Sequence, residues 1–314
     1  MAASPHSASL DAARVASGSG DLLADRRFAY AEAALAEGDA QAAFDLYEQT
    51  LERVPAWLPA RLGLGKAALM LGREAEARAA FEIVAARDQA DLLGARAFLA
   101  RMGAEGGAVT PGYVAALFDD YAPRFDAHLT SALDYRAPEL LAQALGAVSG
   151  ARRYARVLDL GCGTGLMAKA LAGQFETMDG VDLSPRMLEI ARQTGLYTRL
   201  DCAEAGAWLA GEAAQSADLV IAADVFCYIE NLAPLFREAR RVLAPGGIFA
   251  FTVQDAGEGP SRVGADLRVH HARADILQWA VASRFVIRHE ARVSARRDRG
   301  VPVPGALYVL SPDG

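Results

Sequence analysis

The chain has 314 residues, a length that suits about two domains. Hydrophobic residues make up 53% of it and charged residues 23%, the balance of a folded protein and not of a disordered one. The formal net charge of −7 argues against a broad nucleic-acid surface, which would need Lys and Arg to neutralise phosphates.

No run of about 18 apolar residues is present, so no membrane span is expected. Cys162, Cys202 and Cys227 are odd in number and form no C-x-x-C pair. They predict reduced thiols in or beside core strands, no zinc or other metal site, and a cytoplasmic location.

Met1 to Gly20 is rich in Ala and Ser, has Arg14 as its only Lys or Arg, and lacks the apolar core of a signal peptide; residues 1–24 read as a disordered start. From 25 to 102 the text reads as helices, and it repeats. Leu35 and Leu69, Gly38 and Gly72, Ala43 and Ala77, and Tyr47 and Phe81 each stand thirty-four residues apart. That period, with a Gly between two helices, then an Ala and an aromatic, resembles the tetratricopeptide signature. The two alanines let neighbouring helices approach and the two aromatics fill the space between pairs. Pro55 ends the first unit, Trp57 opens the second, and a closing helix spans Asp91 to Met102. Two units are fewer than the three or more a free-standing array needs, so the module is expected to lean on the rest of the chain or on a second chain. It would present a concave surface to a protein partner, or else stabilise the fold or a homodimer.

Residues 103–112 are Gly-rich with Pro111 and read as a linker. Residues 113–150 follow as a helical cap with an aromatic and acidic text, Leu117-Phe118-Asp119-Asp120-Tyr121-Ala122-Pro123-Arg124-Phe125-Asp126-Ala127-His128-Leu129, then Tyr135-Arg136-Ala137-Pro138. Phe118, Tyr121, Phe125 and Leu129 follow one another at spacings of three and four residues, and Phe118, Phe125 and Leu129 are read as a packing stripe.

Residues 151–314 read as an α/β domain. Arg156 to Leu160 is a buried strand that runs into Gly161-Cys162-Gly163-Thr164-Gly165 and then a helix. Three glycines at alternate positions give a turn that lets a ligand come close. A dinucleotide turn would need a glycine where Leu166 stands, which disfavours a Rossmann oxidoreductase. Gly180-Val181-Asp182-Leu183-Ser184 is a second strand ending in an acid, and Tyr197 to Glu204 a third with Asp201 and Glu204. Asp218 to Tyr228 is a central parallel strand with Asp224 and Tyr228 at its end. Asn231 to Val242 is an amphipathic helix whose three arginines read as a solvated face, and Arg241 to Phe251 carries an L-x-P-G-G break into a fifth strand.

These segments, in this order, resemble the class I S-adenosylmethionine-dependent methyltransferases. The cap, with its F-D-x-Y-A-x-x-F-D-x-H-L and Y-R-x-P patterns, is similar to that of a bacterial group that carries N-terminal tetratricopeptide repeats. The resemblance implies a seven-strand Rossmann-like methyltransferase sheet behind an N-terminal all-α tetratricopeptide-repeat domain, with S-adenosyl-L-methionine as cofactor. Asp159 and the N–H groups of Gly161, Gly163 and Gly165 would position the methionine end. Asp182, next to Leu183, would hold the ribose, and Glu204, in preference to Asp201, the adenine amino group. Asp224 would face the site. Tyr121, His128, Tyr135 and Arg136 are candidates for the methionine carboxylate or the substrate, Arg136 foremost for a carboxylate because a guanidinium binds one bidentately.

After the fifth strand come a Gly-rich loop, 255–260, placed as a lid could be, and Leu267-Arg268-Val269-His270-His271. The same group has an R-x-x-H element here, matching Arg268 and His271. His271 is a candidate for taking the acceptor's proton, or else caps the next helix. Residues 285–293 and 305–310 read as a last antiparallel pair. Arg288, Arg292, Arg296, Arg297 and Arg299 near it read as a solvated basic hairpin, with an acidic substrate or partner as second reading. The strand ending at Asp224 lacks an N-P-P-Y motif, which marks down DNA and RNA. A small-molecule acceptor, possibly a carboxylate, is the leading expectation. A protein or carrier-bound substrate recruited by the repeats, or an inactive methyltransferase-like binding module, are the alternatives.

Overall fold

The computed structural model describes residues 18–125, 134–298 and 300–313. The chain divides into two compact units, one ending at Ala116 and one beginning at Leu117.

In the first unit, α1 (Leu22–Glu37), α2 (Ala40–Arg53), α3 (Leu58–Met70) and α4 (Glu74–Arg87) form two helix pairs, and α5 (Ala95–Arg101) closes them. The Asp21 carboxylate accepts from the N–H groups of Leu23 and Ala24, so α1 starts inside the stretch expected to be disordered. Ala43, Ala77, Tyr47 and Phe81 are all fully buried, as the repeat pattern requires. Their tight fit is visible on α3. A Cβ on Gly63 would lie 2.3 Å from Tyr47 Cζ, and one on Gly65 would lie 2.6 Å from Phe81 Cε1. Phe81 also stacks on Phe98 of the closing helix, with ring centroids 4.7 Å apart. Each such ring contributes about 1.5–3 kcal/mol of burial.

Residues 103–112 are not an open linker. The Ala108 N–H donates to the Arg96 carbonyl, Thr110 Oγ1 donates to Asp91 Oδ2 at 2.8 Å, and a Cβ on Gly112 would stand 1.9 Å from the Ala90 oxygen. Glycines that suggest flexibility in the sequence serve here to let backbone lie on backbone. Helix α6 (Pro111–Tyr121) begins directly at Pro111.

The second unit is built on one sheet in the order β3-β2-β1-β4-β5-β11-β8. Its strands are β1 (Tyr154–Leu160), β2 (Phe175–Asp182), β3 (Arg199–Cys202), β4 (Ala217–Ala222), β5 (Leu243–Asp255), β8 (Phe285–Val293) and β11 (Gly305–Pro312). The first five are parallel, and β11 runs antiparallel to β5 and to β8. Two short strands, β6 (Arg262–Val263) and β7 (Val269–His271), attach to the end of β5, where Gln254 faces His270 and Asp255 faces His271. A small hairpin of β9 (Arg297–Asp298) and β10 (Val301–Pro302) lies between β8 and β11.

Alternation along the strands explains the two layers. Leu158, Leu160, Val220, Phe249 and Phe251 pack on one face, and Val157, Leu219, Ile221, Ile248 and Ala250 on the other. The strand order reverses between β1 and β4, which opens a crevice at the carboxyl ends of the strands. Among the described residues no helix is long and apolar enough to cross a membrane.

Candidate active site

The glycine turn after β1 sits at that crevice. Gly161, Gly163 and Gly165 all have positive φ, at 62°, 53° and 88°. Their surroundings differ. A Cβ on Gly161 would lie 2.4 Å from Val225 Cγ2 and one on Gly165 3.1 Å from Tyr197 Cε2, so these two glycines are needed for packing. A Cβ on Gly163 would meet nothing nearer than Phe125 Cε1 at 4.0 Å. Gly163 therefore faces open space, and a cavity of about 50 Å³ lies there. Phe125, Tyr135 and Pro138 of the cap line it on one side, with Asp159, Gly163 and Ala223 on the other.

Two acids flank the turn. Asp159 is buried, and Tyr197 Oη donates to its Oδ2 at 2.7 Å. Burial pushes its carboxyl up to about 7, against the pull of the Tyr197 bond and with help from the Asp182 charge. Asp182, at the end of β2, accepts from Gly163 N–H at 2.9 Å through Oδ2 and from Ser184 N–H at 2.8 Å through Oδ1. Burial raises its carboxyl too, and those N–H bonds oppose the rise. The Leu183 N–H bears on the same carboxyl, and a carboxylate with three such donors keeps lone-pair capacity for a ligand hydroxyl. Leu183 beside it is half-buried.

The two adenine candidates are engaged locally. Glu204 caps the helix Ala205–Gly211, accepting from Gly206 N–H at 3.0 Å and Ala207 N–H at 2.8 Å. Asp201 accepts from Trp208 Nε1 at 2.7 Å and pairs with Arg199 Nε at 3.1 Å. The preference for Glu204 is weakened, because a helix-capping acid and a ligand-binding acid look alike in sequence.

Of the cap candidates, Tyr135 lines the cavity and its Oη donates to the Ala223 carbonyl at 3.4 Å. Arg136 is exposed, and its backbone N–H donates to the Ala295 carbonyl at 2.8 Å. Tyr121 packs edge-on against Phe125, with centroids 5.2 Å apart, and burial raises its phenol while the charges of Arg124, then Arg268 and Arg296, oppose that. His128 and Arg299 lie outside the described residues.

His271 is not brought to the cavity. It is 1% exposed, its Nε2 bonds the Phe226 carbonyl at 2.8 Å, and burial lowers its pKa, so the ring is a neutral core group that fixes the turn Phe226–Tyr228. The assignment as a base open to substrate is corrected on that geometry. Arg268, its companion in the R-x-x-H element, has its guanidinium 5.2 Å over the Tyr228 ring and 3.9 Å from Asp224 Oδ2. Asp224 has a left-handed backbone (φ 59°) and its N–H donates to Thr252 Oγ1 at 2.8 Å.

Four features are not foreseen by the sequence pattern. Tyr197, which falls before β3 and not within it, turns in to hold Asp159. Asp119 of α6 accepts from Ser184 Oγ at 2.5 Å and from Arg186 N–H at 3.2 Å, tying the cap to the element after Asp182. Arg296, expected in a solvated hairpin, is 7% exposed. Cys202 is exposed where a core position was expected, since β3 is the sheet edge. Among the described residues no group of three or more His, Cys, Asp or Glu comes together to hold a metal ion.

Residues 158–251 match the family model of the methyltransferase domain, and residues 34–102 that of the tetratricopeptide repeat. Residues 158–251 are thus similar to a methyltransferase domain. It is 44% identical, over 91 residues, to methyltransferase-like protein 27 of Homo sapiens, covering 28% of this chain and 37% of that protein. Trans-aconitate 2-methyltransferase of Streptomyces coelicolor is 35% identical over 146 residues, covering 44% of this chain and 46% of that one. The chain thus spans less than half the length of either curated relative. Among solved structures, the [4+2]-cyclase SpnF superposes with a TM-score of 0.54 at 22% identity, over 66% of this chain and 98% of that one. That likeness shows the fold of the methyltransferase domain and no more, since SpnF is itself named as a cyclase.

Proposed function

We propose that the protein transfers the methyl group of S-adenosylmethionine to a small molecule bound under the cap. The observation that carries this is the open face of Gly163 beneath Phe125, bounded by Asp182 on one side and Asp159 on the other. Asp159 would hold the methionine end and Asp182 would accept from the ribose hydroxyls, while the N–H groups of Gly163 and Gly165 are spent on Asp182 and the Cys162 carbonyl and shape the turn. When bound, the cofactor supplies a methyl carbon already activated by its positive sulfur. The chain's own task is then alignment and dryness: Phe125, Tyr135 and Pro138 wall the cavity and exclude water.

The three cysteines are free thiols, which supports a reducing, cytoplasmic setting. The repeats are read as a docking module for a protein partner or a second copy, because Leu22, Leu23 and Tyr30 of α1 leave large apolar surface uncovered. A carrier-bound acceptor brought by such a partner is the second reading.

The test is a calorimetric titration with S-adenosylmethionine and, in parallel, NAD, on the wild type and Asp182→Ala. Binding of the former alone, weakened about a hundredfold or more in the variant, is the expected result. No binding of either would sink the reading and leave an inactive binding scaffold.

A further inference from the structure

Next to the cavity at the glycine turn in sequence, on the β4–β5 side, stands a group of buried cations that the reaction as described does not use. Ala223 lines the cavity, and the next residue, Asp224, stands between two guanidinium groups, with Arg268 Nη1 at 3.9 Å and Arg296 Nε at 3.5 Å from Oδ2. Those separations are ion pairs and too long for hydrogen bonds. Arg296 reaches this place because the connector from β8 to β11 folds back over the sheet end. The Arg136 N–H holds the Ala295 carbonyl, and Val303 N–H holds that of Arg296 itself.

The hydrogen-bond accounting does not close. Among the described residues, Arg268 Nη1, Arg296 Nε and Nη2, and Tyr228 Oη are buried without a hydrogen-bond partner. Asp266 does not supply one. It accepts from Gln254 Nε2 at 2.8 Å and His270 Nε2 at 3.1 Å, and Arg296 Nη2 stays 3.8 Å away, beyond hydrogen-bond reach. Asp224 balances charge at ion-pair distance, but buried N–H donors without an acceptor are costly, and here three of them from two guanidinium groups lie together. Phe118 packs edge-on against Tyr228, with centroids 5.4 Å apart, so an aromatic wall closes the other side. The low-dielectric wall strengthens any ion held there.

We propose that Arg268 and Arg296 bind the carboxylate of the methyl acceptor, so that the substrate is a small organic acid. This rests on the methyltransferase reading above. Each guanidinium offers N–H groups in a planar fork that matches a carboxylate, and Tyr228 Oη adds a third donor. The sheet order separates this anchor from the cofactor. Asp159 and Asp182 lie at the ends of β1 and β2, whereas Asp224, Arg268 and Arg296 gather beyond β4 and β5. An acceptor anchored by the arginines would therefore approach the glycine turn from the opposite half of the crevice.

The experiment is calorimetry on the full chain saturated with S-adenosylhomocysteine, titrated with acetate, succinate and citrate, with succinamide as neutral counterpart and with inorganic phosphate. At least one carboxylate should bind about tenfold or more tighter than succinamide and than phosphate, and Arg296→Gln and Arg268→Gln should each lose that margin. Arg297→Gln, an exposed neighbour, should leave it intact. Equal binding of acid and amide, tightest binding of phosphate, or margins untouched by both variants would overturn the proposal. So would a tenfold loss of S-adenosylhomocysteine affinity in Arg296→Gln, because the pair would then serve the carboxylate of the cofactor. The wild-type comparison of acid with amide stands even if a variant does not fold. Failure of S-adenosylhomocysteine to bind the wild type would instead remove the methyltransferase reading itself.

Discussion

Replacing Asp159 by Asn tests the electrostatics of the turn without any cofactor. The carboxyl titrates near 3.8 in an unfolded chain and is pushed up to about 7 by burial in the folded one. Between those two values the unfolded state has released its proton and the folded state still holds one. Wild-type stability therefore falls as pH rises, by about 1.4 kcal/mol per pH unit, and levels off once pH passes the folded value. From pH 5 to pH 8 that amounts to roughly 3 kcal/mol. The amide of Asp159→Asn does not titrate, yet its oxygen still accepts from Tyr197 Oη, so the bond is kept and only the charge is removed. Urea unfolding of both proteins at pH 5, 6, 7 and 8 should show the variant gaining on the wild type by that amount, with the gain complete slightly above pH 7. Parallel profiles would mean that Asp159 is ionised throughout, and the account of its burial would be wrong.

The two glycines of the turn should separate by phenotype. Gly161→Ala drives a methyl into Val225 and should lower stability by about 2–4 kcal/mol, whereas Gly163→Ala meets open space, should cost only the roughly 1–2 kcal/mol of its left-handed backbone, and should block cofactor binding. Thermal melting beside calorimetry distinguishes them. His271→Ala should destabilise the fold by about 2–4 kcal/mol, through the orphaned Phe226 carbonyl and the cavity left behind, and should leave the pH profile of turnover unshifted. A shift of that profile would restore His271 as a base. In the repeats, Gly63→Ala should strain the Tyr47 contact by about 1–3 kcal/mol and leave the affinity for S-adenosylhomocysteine unchanged, a result read by melting and titration together.

What is legible in the sequence is whatever repeats or alternates. The thirty-four-residue spacing alone places Tyr47 and Phe81 in a core, and the apolar runs place five parallel strands with the glycine turn at their switch point. The local chemistry of Asp182 follows from its place at a strand end. What stays hidden depends on where a chain folds back. Arg296 looks the same in sequence as Arg297, and only the turn-back of the β8–β11 connector buries the former while the latter stays exposed. His271 sits in a pattern that suits a base, but its register opposite Asp255 turns the ring into the core. Glycines 107 and 112 show the same limit: a Gly-rich text means either freedom or close contact, and the partner backbone decides which.

The position of β11 has a consequence for how the protein is made. It lies between β5 and β8, yet both neighbours precede it in the chain, so β8 leaves the ribosome with no strand to pair with until β11 arrives. Insertion of a late strand between two earlier ones is a long-range event and therefore a slow one. Arg296 lies in the connector that this insertion pulls into place. The repeats and the glycine turn can be assembled well before that, which makes the half of the crevice that selects the acceptor the last part of the protein to acquire its shape.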